Sequence, residues 1–179
     1  MNDLMARLRQ DHRNLSRLFD MLEEQVARYD RDSDREPDLL LILDIVAYLN
    51  DYPRVYHHPL EEEAIAYMAE RHLGETSVND FIHHQHEDLE AATKRLSLLF
   101  KTIANDQPVA IEDIRAALDD YLALSRKHLK EEDDRLFPAM EASLSDEDWR
   151  TIASRLPERR DPLFTEDPDE AFADLKSRL

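Results

Sequence analysis

Apolar residues recur along this chain at three- and four-residue steps, the spacing that gathers them on one face of a helix. In the first segment Leu4, Leu8, Leu15, Phe19, Leu22 and Val26 predict an amphipathic helix over about residues 3–29, and His12 occupies the missing step of its stripe. Asp30 to Pro37 is polar and turn-like. Leu39, Leu43, Val46 and Leu49 then open a second helix that resumes through Ile65 and Met68 and stops at Gly74, a residue suited to a left-handed C-cap. Pro53 and Pro59 interrupt this pattern, each removing a backbone donor and crowding the preceding turn. Two helices separated by a turn would satisfy the pattern. A single helix bent beside a functional site is the favoured reading, because His57 and Glu61 flank Pro59.

A third helix is expected from Thr76 or Ser77, with Asp80 in capping-box position, to about Asp106 along Ile82, Leu89, Leu96, Leu99 and Ile103; His86 again fills a missing step. The fourth begins after Gln107-Pro108 and carries Ile114, Leu118, Tyr121, Leu136 and Met140, with His128 and Glu132 bridging the gap on the same stripe. Long helices with short connections imply an all-α fold, an antiparallel (up-down) four-helix bundle. Ser145 with Asp148 caps a short fifth helix carrying Trp149, Ile152 and Leu156, and Asp167-Pro168-Asp169-Glu170 signals a last one ending near Arg178. The expected organisation is a bundle over residues 1–144 with a helical extension, 145–179, packed on it.

Composition agrees with helices: the 179 residues include a single glycine and few β-branched runs. A formal net charge of −18 would repel nucleic-acid phosphates and anionic headgroups, so neither nucleic acid nor a membrane is an expected partner. Absence of cysteine removes disulfides, iron–sulfur clusters and thiolate ligands, so any metal must bind nitrogen and oxygen. With no signal-like N-terminus and no long apolar run, the chain is expected to be soluble and cytoplasmic.

Six polar residues break the apolar stripes: His12, His57, Glu61, His86, His128 and Glu132. They recur in the order His, then His-x-x-x-Glu, twice over. Residues four apart share a helix face roughly 6 Å apart, close enough to reach one metal or two adjacent ones. Such spacing is common on solvated faces, but here it falls in line with core positions, where an unpartnered polar group costs on the order of 2–7 kcal/mol. A metal would compensate that cost; mutual His–Glu pairing without metal is the competing explanation. The intervals His12 to His57 (45 residues) and His86 to His128 (42 residues) suggest a duplicated helix pair related by a pseudo-two-fold axis. Two metals would then lie side by side, each with two imidazoles, bridged by the glutamates and open to an oxo or hydroxo group and a small exogenous molecule.

The remaining histidines read differently. His83 and His84 share faces with charged residues and are expected at the surface, with His83 a possible extra ligand. His72 falls in the last turn of its helix, where a partly positive imidazole suits the dipole. His58 with Glu62 repeats the spacing of His57 with Glu61 and is its rival; stripe alignment prefers the latter pair. The chain has no Glu-x-x-His, no His-Glu-x-x-His, no glycine-rich loop and no nucleophile motif.

The run His128-Leu-Lys-Glu-Glu132-Asp-Asp-Arg-Leu-Phe-Pro138 resembles the signature of the hemerythrin-like, or HHE cation-binding, family, and Tyr56-His57-His58-Pro59-Leu60-Glu61 resembles its earlier repeat. Asp11-His12-Arg13 and Gln85-His86-Glu87 are similar to its two single-histidine helices; the resemblance spans about residues 3–142. It implies a non-haem diiron centre with His12, His57, His86 and His128 as terminal ligands and Glu61 and Glu132 as bridges, two irons being expected and zinc or manganese also accepted. The oxygen carriers of the family have a histidine where this chain has Ile82, and an aspartate five residues after the last histidine where this chain has Glu132 at four. The four-His, two-Glu pattern is instead similar to bacterial diiron proteins linked to iron–sulfur cluster repair and nitric oxide stress. Three functions are compatible: a protein that binds or senses O₂, nitric oxide or iron; a redox enzyme reducing nitric oxide or peroxide with an external electron donor protein; or a helical interaction module with an inert polar core. The first is preferred.

Overall fold

The structure is a computed structural model that describes residues 3–29, 34–73, 77–158 and 160–179, with backbone alone over 77–81. The described residues form helices and connections with no strand. Helix α1 spans Asp3–Ala27, α2 Leu39–Tyr52, α3 His58–Glu70, α4 Ser77–Ala104 and α5 Ile111–Glu131; α6 (Phe137–Ser143), α7 (Asp146–Arg155) and α8 (Ala173–Ser177) are shorter. Helix α1 packs on α2 and α5, and α4 packs on the same two. The start of α2 is fixed by Asp38, whose side chain accepts a hydrogen bond from Leu41 N at 3.1 Å.

Helices α2 and α3 are one bent helix rather than two joined by a turn. The five residues between them, Pro53–His57, form a π turn in which the His58 N–H donates to the Pro53 carbonyl, five residues back. Proline at 59 has no N–H to give, and the wider turn relieves the crowding its ring imposes on the preceding carbonyls. The same device recurs between α5 and α6: Glu132–Leu136 is a π turn, the Phe137 N–H reaches the Glu132 carbonyl, and Pro138 follows. Nothing in the apolar periodicity announces this second turn.

The C-cap expected at Gly74 lies outside the described residues, as does the side-chain pairing of Ser77 with Asp80. Instead, α3 ends earlier: His72 takes φ 56°, and the Leu73 N–H closes onto the Met68 carbonyl at 2.8 Å. His72 is therefore the left-handed residue just past the helix rather than a member of its last turn.

Two apolar clusters fill the interior. One joins Leu15 to Val26 of α1 with α2 and the far halves of α4 and α5; the other joins Met5 and Leu8 with α3, α6 and α7. Along α1, α2–α3, α4 and α5–α6 the histidines and glutamates fall at the boundary of the two clusters: His12, His57, His86 and Glu132 between their residues, His128 and Glu61 one residue inside the edge of one cluster. A polar layer is thereby sealed from both ends.

Residues beyond 144 complete this packing at two separate places. Ser145 and Asp148 form a reciprocal capping box, and Trp149 and Ile152 bury α7 against α3. The expected last helix opens as a 3₁₀ turn, Glu170–Phe172, before α8, and Leu163 and Leu175 seat this segment in the cluster around α2. No described helix is long and apolar enough to cross a membrane.

Candidate metal centre

Each of the six stripe-breaking residues reaches the polar layer from a different local structure. His12 comes from α1, His57 from the last position of the first π turn, Glu61 from α3, His86 from α4, His128 from α5 and Glu132 from the first position of the second π turn. All six are buried; His57 is 1% exposed and both glutamates are 0% exposed. Their ligating atoms fall into two overlapping groups, His12, His57, Glu61 and Glu132 on one side and His86, His128, Glu61 and Glu132 on the other, with every atom of a group within 4.8 Å of the others. The glutamates are common to both.

The inward distances are short. His12 Nε2 lies 3.2 Å from Glu132 Oε2, His57 Nε2 3.2 Å from Glu61 Oε1, and His128 Nε2 3.2 Å from Glu132 Oε1. His86 Nε2 lies 3.6 Å from Glu61 Oε2 and 3.5 Å from Glu132 Oε1.

The outward nitrogens have partners of their own. His57 Nδ1 lies 3.2 Å from Asp11 Oδ2, and Asp11 also accepts the Tyr52 hydroxyl at 2.9 Å. His86 Nδ1 lies 2.7 Å from Glu62 Oε1, and His128 Nδ1 3.0 Å from Gln85 Oε1, with the Gln85 amide in turn donating to Glu131 at 3.0 Å. His12 Nδ1 faces Asp133 Oδ1 at 3.2 Å without hydrogen-bonding alignment. An acceptor beside Nδ1 places the proton there and leaves the Nε2 lone pair facing inward, the arrangement that orients imidazole toward a metal.

On protein groups alone, the charges interlock. Burial opposes a charged His57, but the Glu61 and Asp11 carboxylates outweigh it and raise the imidazole to about 10. His86 is raised to about 11, again against burial, by Glu132, Glu61 and Glu62. Burial pushes Glu61 upward, yet the His57 and His86 rings hold it well below the usual carboxylate range. His128 is lowered, by burial first.

Despite these charges, hydrogen bonding leaves the centre unsatisfied. Nε2 of His12, His57, His86 and His128 and both carboxylate oxygens of Glu61 and Glu132 have no hydrogen-bond partner. An unpartnered buried polar group costs roughly 2–7 kcal/mol, so mutual pairing is a poor account of eight such atoms. A cation is a better one. Bonds of about 2.0–2.2 Å from imidazole and carboxylate to a zinc-sized ion put neighbouring donors about 3.0–3.4 Å apart, close to the separations seen here.

Three other histidines are placed clearly. His83 and His84 are exposed, although His83 Nδ1 lies 3.2 Å from Glu62. His58, the sequence rival of His57, belongs to neither glutamate-containing group; it stacks on His86 at 3.9 Å and forms a third group with His86 and His128. Burial and the neighbouring His86 charge hold its imidazole well below the ordinary value.

The sequence reading names Asp11, Glu62 and Gln85, and Asp133 within a motif, but not their place beside the Nδ1 atoms of these rings. Each is the chain neighbour of a stripe-breaking residue, and each lies beside a histidine on a different helix. Asp11 of α1 serves the histidine of the next helix, as Gln85 of α4 does; Glu62 serves His86, and Asp133 stands beside His12 in the matching place without a hydrogen bond. That regularity is the pseudo-two-fold relation the intervals suggest.

No curated protein and no solved structure matches the chain. A family model, the hemerythrin HHE cation binding domain, matches residues 3–146, the helical stretch that holds the buried histidine and glutamate cluster. The chain therefore belongs to the hemerythrin HHE cation-binding domain family, whose metal-binding character suits the cluster at its core.

Proposed function

We propose that this chain is a non-haem diiron protein that binds or senses a small ligand, O₂ or nitric oxide, in the cytoplasmic response to oxidative or nitrosative stress. In this reading the bundle is an antiparallel four-helix one, residues 1–144, supported by the ring of contacts α1–α2–α4–α5, with 145–179 as its extension. His12 and His57 would hold one iron and His86 and His128 the second, with Glu61 and Glu132 shared between them. The observation that carries this is the set of eight inward atoms without a hydrogen-bond partner, divided into two groups that share both carboxylates. Bound iron would supply reversible ligand binding and electron exchange at an open coordination position. The protein's own part is to fix the His57, His86 and His128 rings through Nδ1, to exclude water with apolar clusters on either side, and to offer two shared carboxylates to the metals.

The ligand pattern also supports a kinship of role with bacterial diiron proteins of iron–sulfur cluster repair. A redox enzyme that reduces nitric oxide or peroxide, served by an external electron donor, is the second reading. Metal analysis after expression in iron-rich medium, with absorption over roughly 300–500 nm, tests the centre. About two irons per chain are expected, and about none in His128→Ala. A metal-free chain whose stability His128→Ala leaves unchanged refutes the centre. Reversible spectral change with nitric oxide and no turnover identifies the binder; sustained consumption with a reductant identifies the enzyme.

A further inference from the structure

A cavity of about 530 Å³ lies between α1, α2, α4 and α5, and one end of it is walled by His58, His86 and His128. Neither His12 nor His57, and neither glutamate, lines it, so it meets the centre from one side only. From His128 it extends along α5 to Tyr121, seven residues or about 10 Å of helix. Leu15, Phe19, Leu49 and Leu129 supply apolar walls, and all four are buried. This space far exceeds what a diatomic needs: about 150 Å³ accommodates benzene, and sites for small organic molecules run from about 300 to 1,000 Å³.

Two further observations define what would fit. Ser125 is 3% exposed and lines the cavity, and its Oγ has no hydrogen-bond partner of good geometry; its polar neighbour is the Tyr121 hydroxyl, which interacts with Ser125 and Thr93. A buried hydroxyl without a partner is a standing demand for a donor or acceptor. Of the charged lining residues, Glu87, Arg54 and Glu90 are at the rim, with side chains 66%, 53% and 43% exposed, and Glu62 is half-buried and engaged by His86 Nδ1 at 2.7 Å. Acidic groups predominate there, which disfavours an anion, and no fully buried carboxylate lines the cavity to pair with a cation.

We propose that this cavity binds a neutral, largely apolar small molecule with a single hydroxyl head, the size of a short-chain phenol, lying along α5 with its hydroxyl within reach of Ser125. Its approach to a metal at His86 and His128 rests on the diiron reading; its binding does not.

The full chain, metal-free and iron-loaded, is titrated with 4-ethylphenol and with ethylbenzene by calorimetry. One saturable site for 4-ethylphenol, with Kd about 1 mM or tighter, is expected in the metal-free chain. Ser125→Phe, which fills the space, is expected to weaken it about ten-fold or more. Should that variant fail to fold, Ser125→Ala decides: it is expected to weaken 4-ethylphenol several-fold and leave ethylbenzene unchanged. No saturable binding, or equal binding by wild type and Ser125→Phe, overturns the proposal. Equal effects of Ser125→Ala on both probes overturn the hydroxyl contact. Iron loading with no phenol binding in either form overturns the cavity proposal and leaves the diiron centre standing. Phenol binding by a chain that takes up no iron sustains the cavity and refutes the centre.

Discussion

Asp11 Oδ2 lies 3.2 Å from Nδ1 of His57, linking α1 to the π turn that precedes α3. The Tyr52 hydroxyl, 2.9 Å from the other Asp11 oxygen, keeps the carboxylate from turning away. Asp11→Asn removes the charge and offers an amide that can donate where the ring requires an acceptor. Metal affinity is expected to fall about 10–100-fold, with helix content unchanged, as measured by competition with a chromophoric chelator. Unchanged affinity would separate Asp11 from the centre.

Protons and metal compete for the same lone pairs. Without metal, His57 and His86 titrate at about 10 and about 11, above the ordinary 6.5, so their contribution to stability is complete below about pH 6.5 and is lost as pH rises through those values. Loading near neutral pH is therefore expected to release about two protons per chain, and affinity to fall as the solution is acidified. Calorimetry in two buffers of different ionisation enthalpy counts the protons; a net release of zero contradicts the expectation.

The segments after residue 144 are integral to the packing, because Trp149 is 2% exposed and Leu163 and Leu175 are 0% exposed. Truncating Trp149 to alanine is expected to cost about 3–5 kcal/mol, and Leu163→Ala about 2–5 kcal/mol, in chemical denaturation. Losses under about 1 kcal/mol would mean that these segments sit loosely on the bundle.

Asp148 binds α7 to the rest through its hydrogen bonds with Ser145 and with the Tyr67 hydroxyl, the latter 2.6 Å away. The Ser145 hydroxyl, the Tyr67 hydroxyl and the Ser145 backbone hold its carboxyl down at about 2, from 3.8. Its contribution to stability is thus present above about pH 4 and lost as pH falls through about 2. Asp148→Ala is expected to destabilise the chain at neutral pH and to make no difference below about pH 2, with Trp149 fluorescence as the local readout. A penalty independent of pH would assign the residue a different role.

The helices were legible because apolar residues such as Leu15, Phe19 and Leu22 repeat at helical steps and are buried where the repeat places them. The same alignment separates His12, His57, His86 and His128, all buried, from the exposed His83 and His84. Periodicity loses its hold at the π turns. Tyr52 and His57 are five residues apart yet both buried, and a stripe read in threes and fours has no such step. His58, whose spacing to Glu62 repeats that of His57 to Glu61, reads as the rival of His57, whereas it lies against His86 on the other side of the centre. Asp11 with His57 and Gln85 with His128 were hidden for a different reason: 46 and 43 residues separate the partners, and only the packing of helices brings them together. At His72, a reading that looks for glycine passes over a residue whose backbone takes the left-handed form even with a Cβ.

Asp11-His12, Glu61-Glu62, Gln85-His86 and Glu132-Asp133 each set an inward atom beside an acceptor for a ring on another helix. A helix displaced by one residue would swap the two duties, and the error would be felt on a neighbouring helix as well as on its own. An alanine inserted between Asp11 and His12 is accordingly expected to abolish ion capture while far-UV circular dichroism stays nearly the same; retained capture would argue against this coupling. The ion would serve the folding chain as a checksum, rewarding only the assembly in which the helices that carry these pairs are in register.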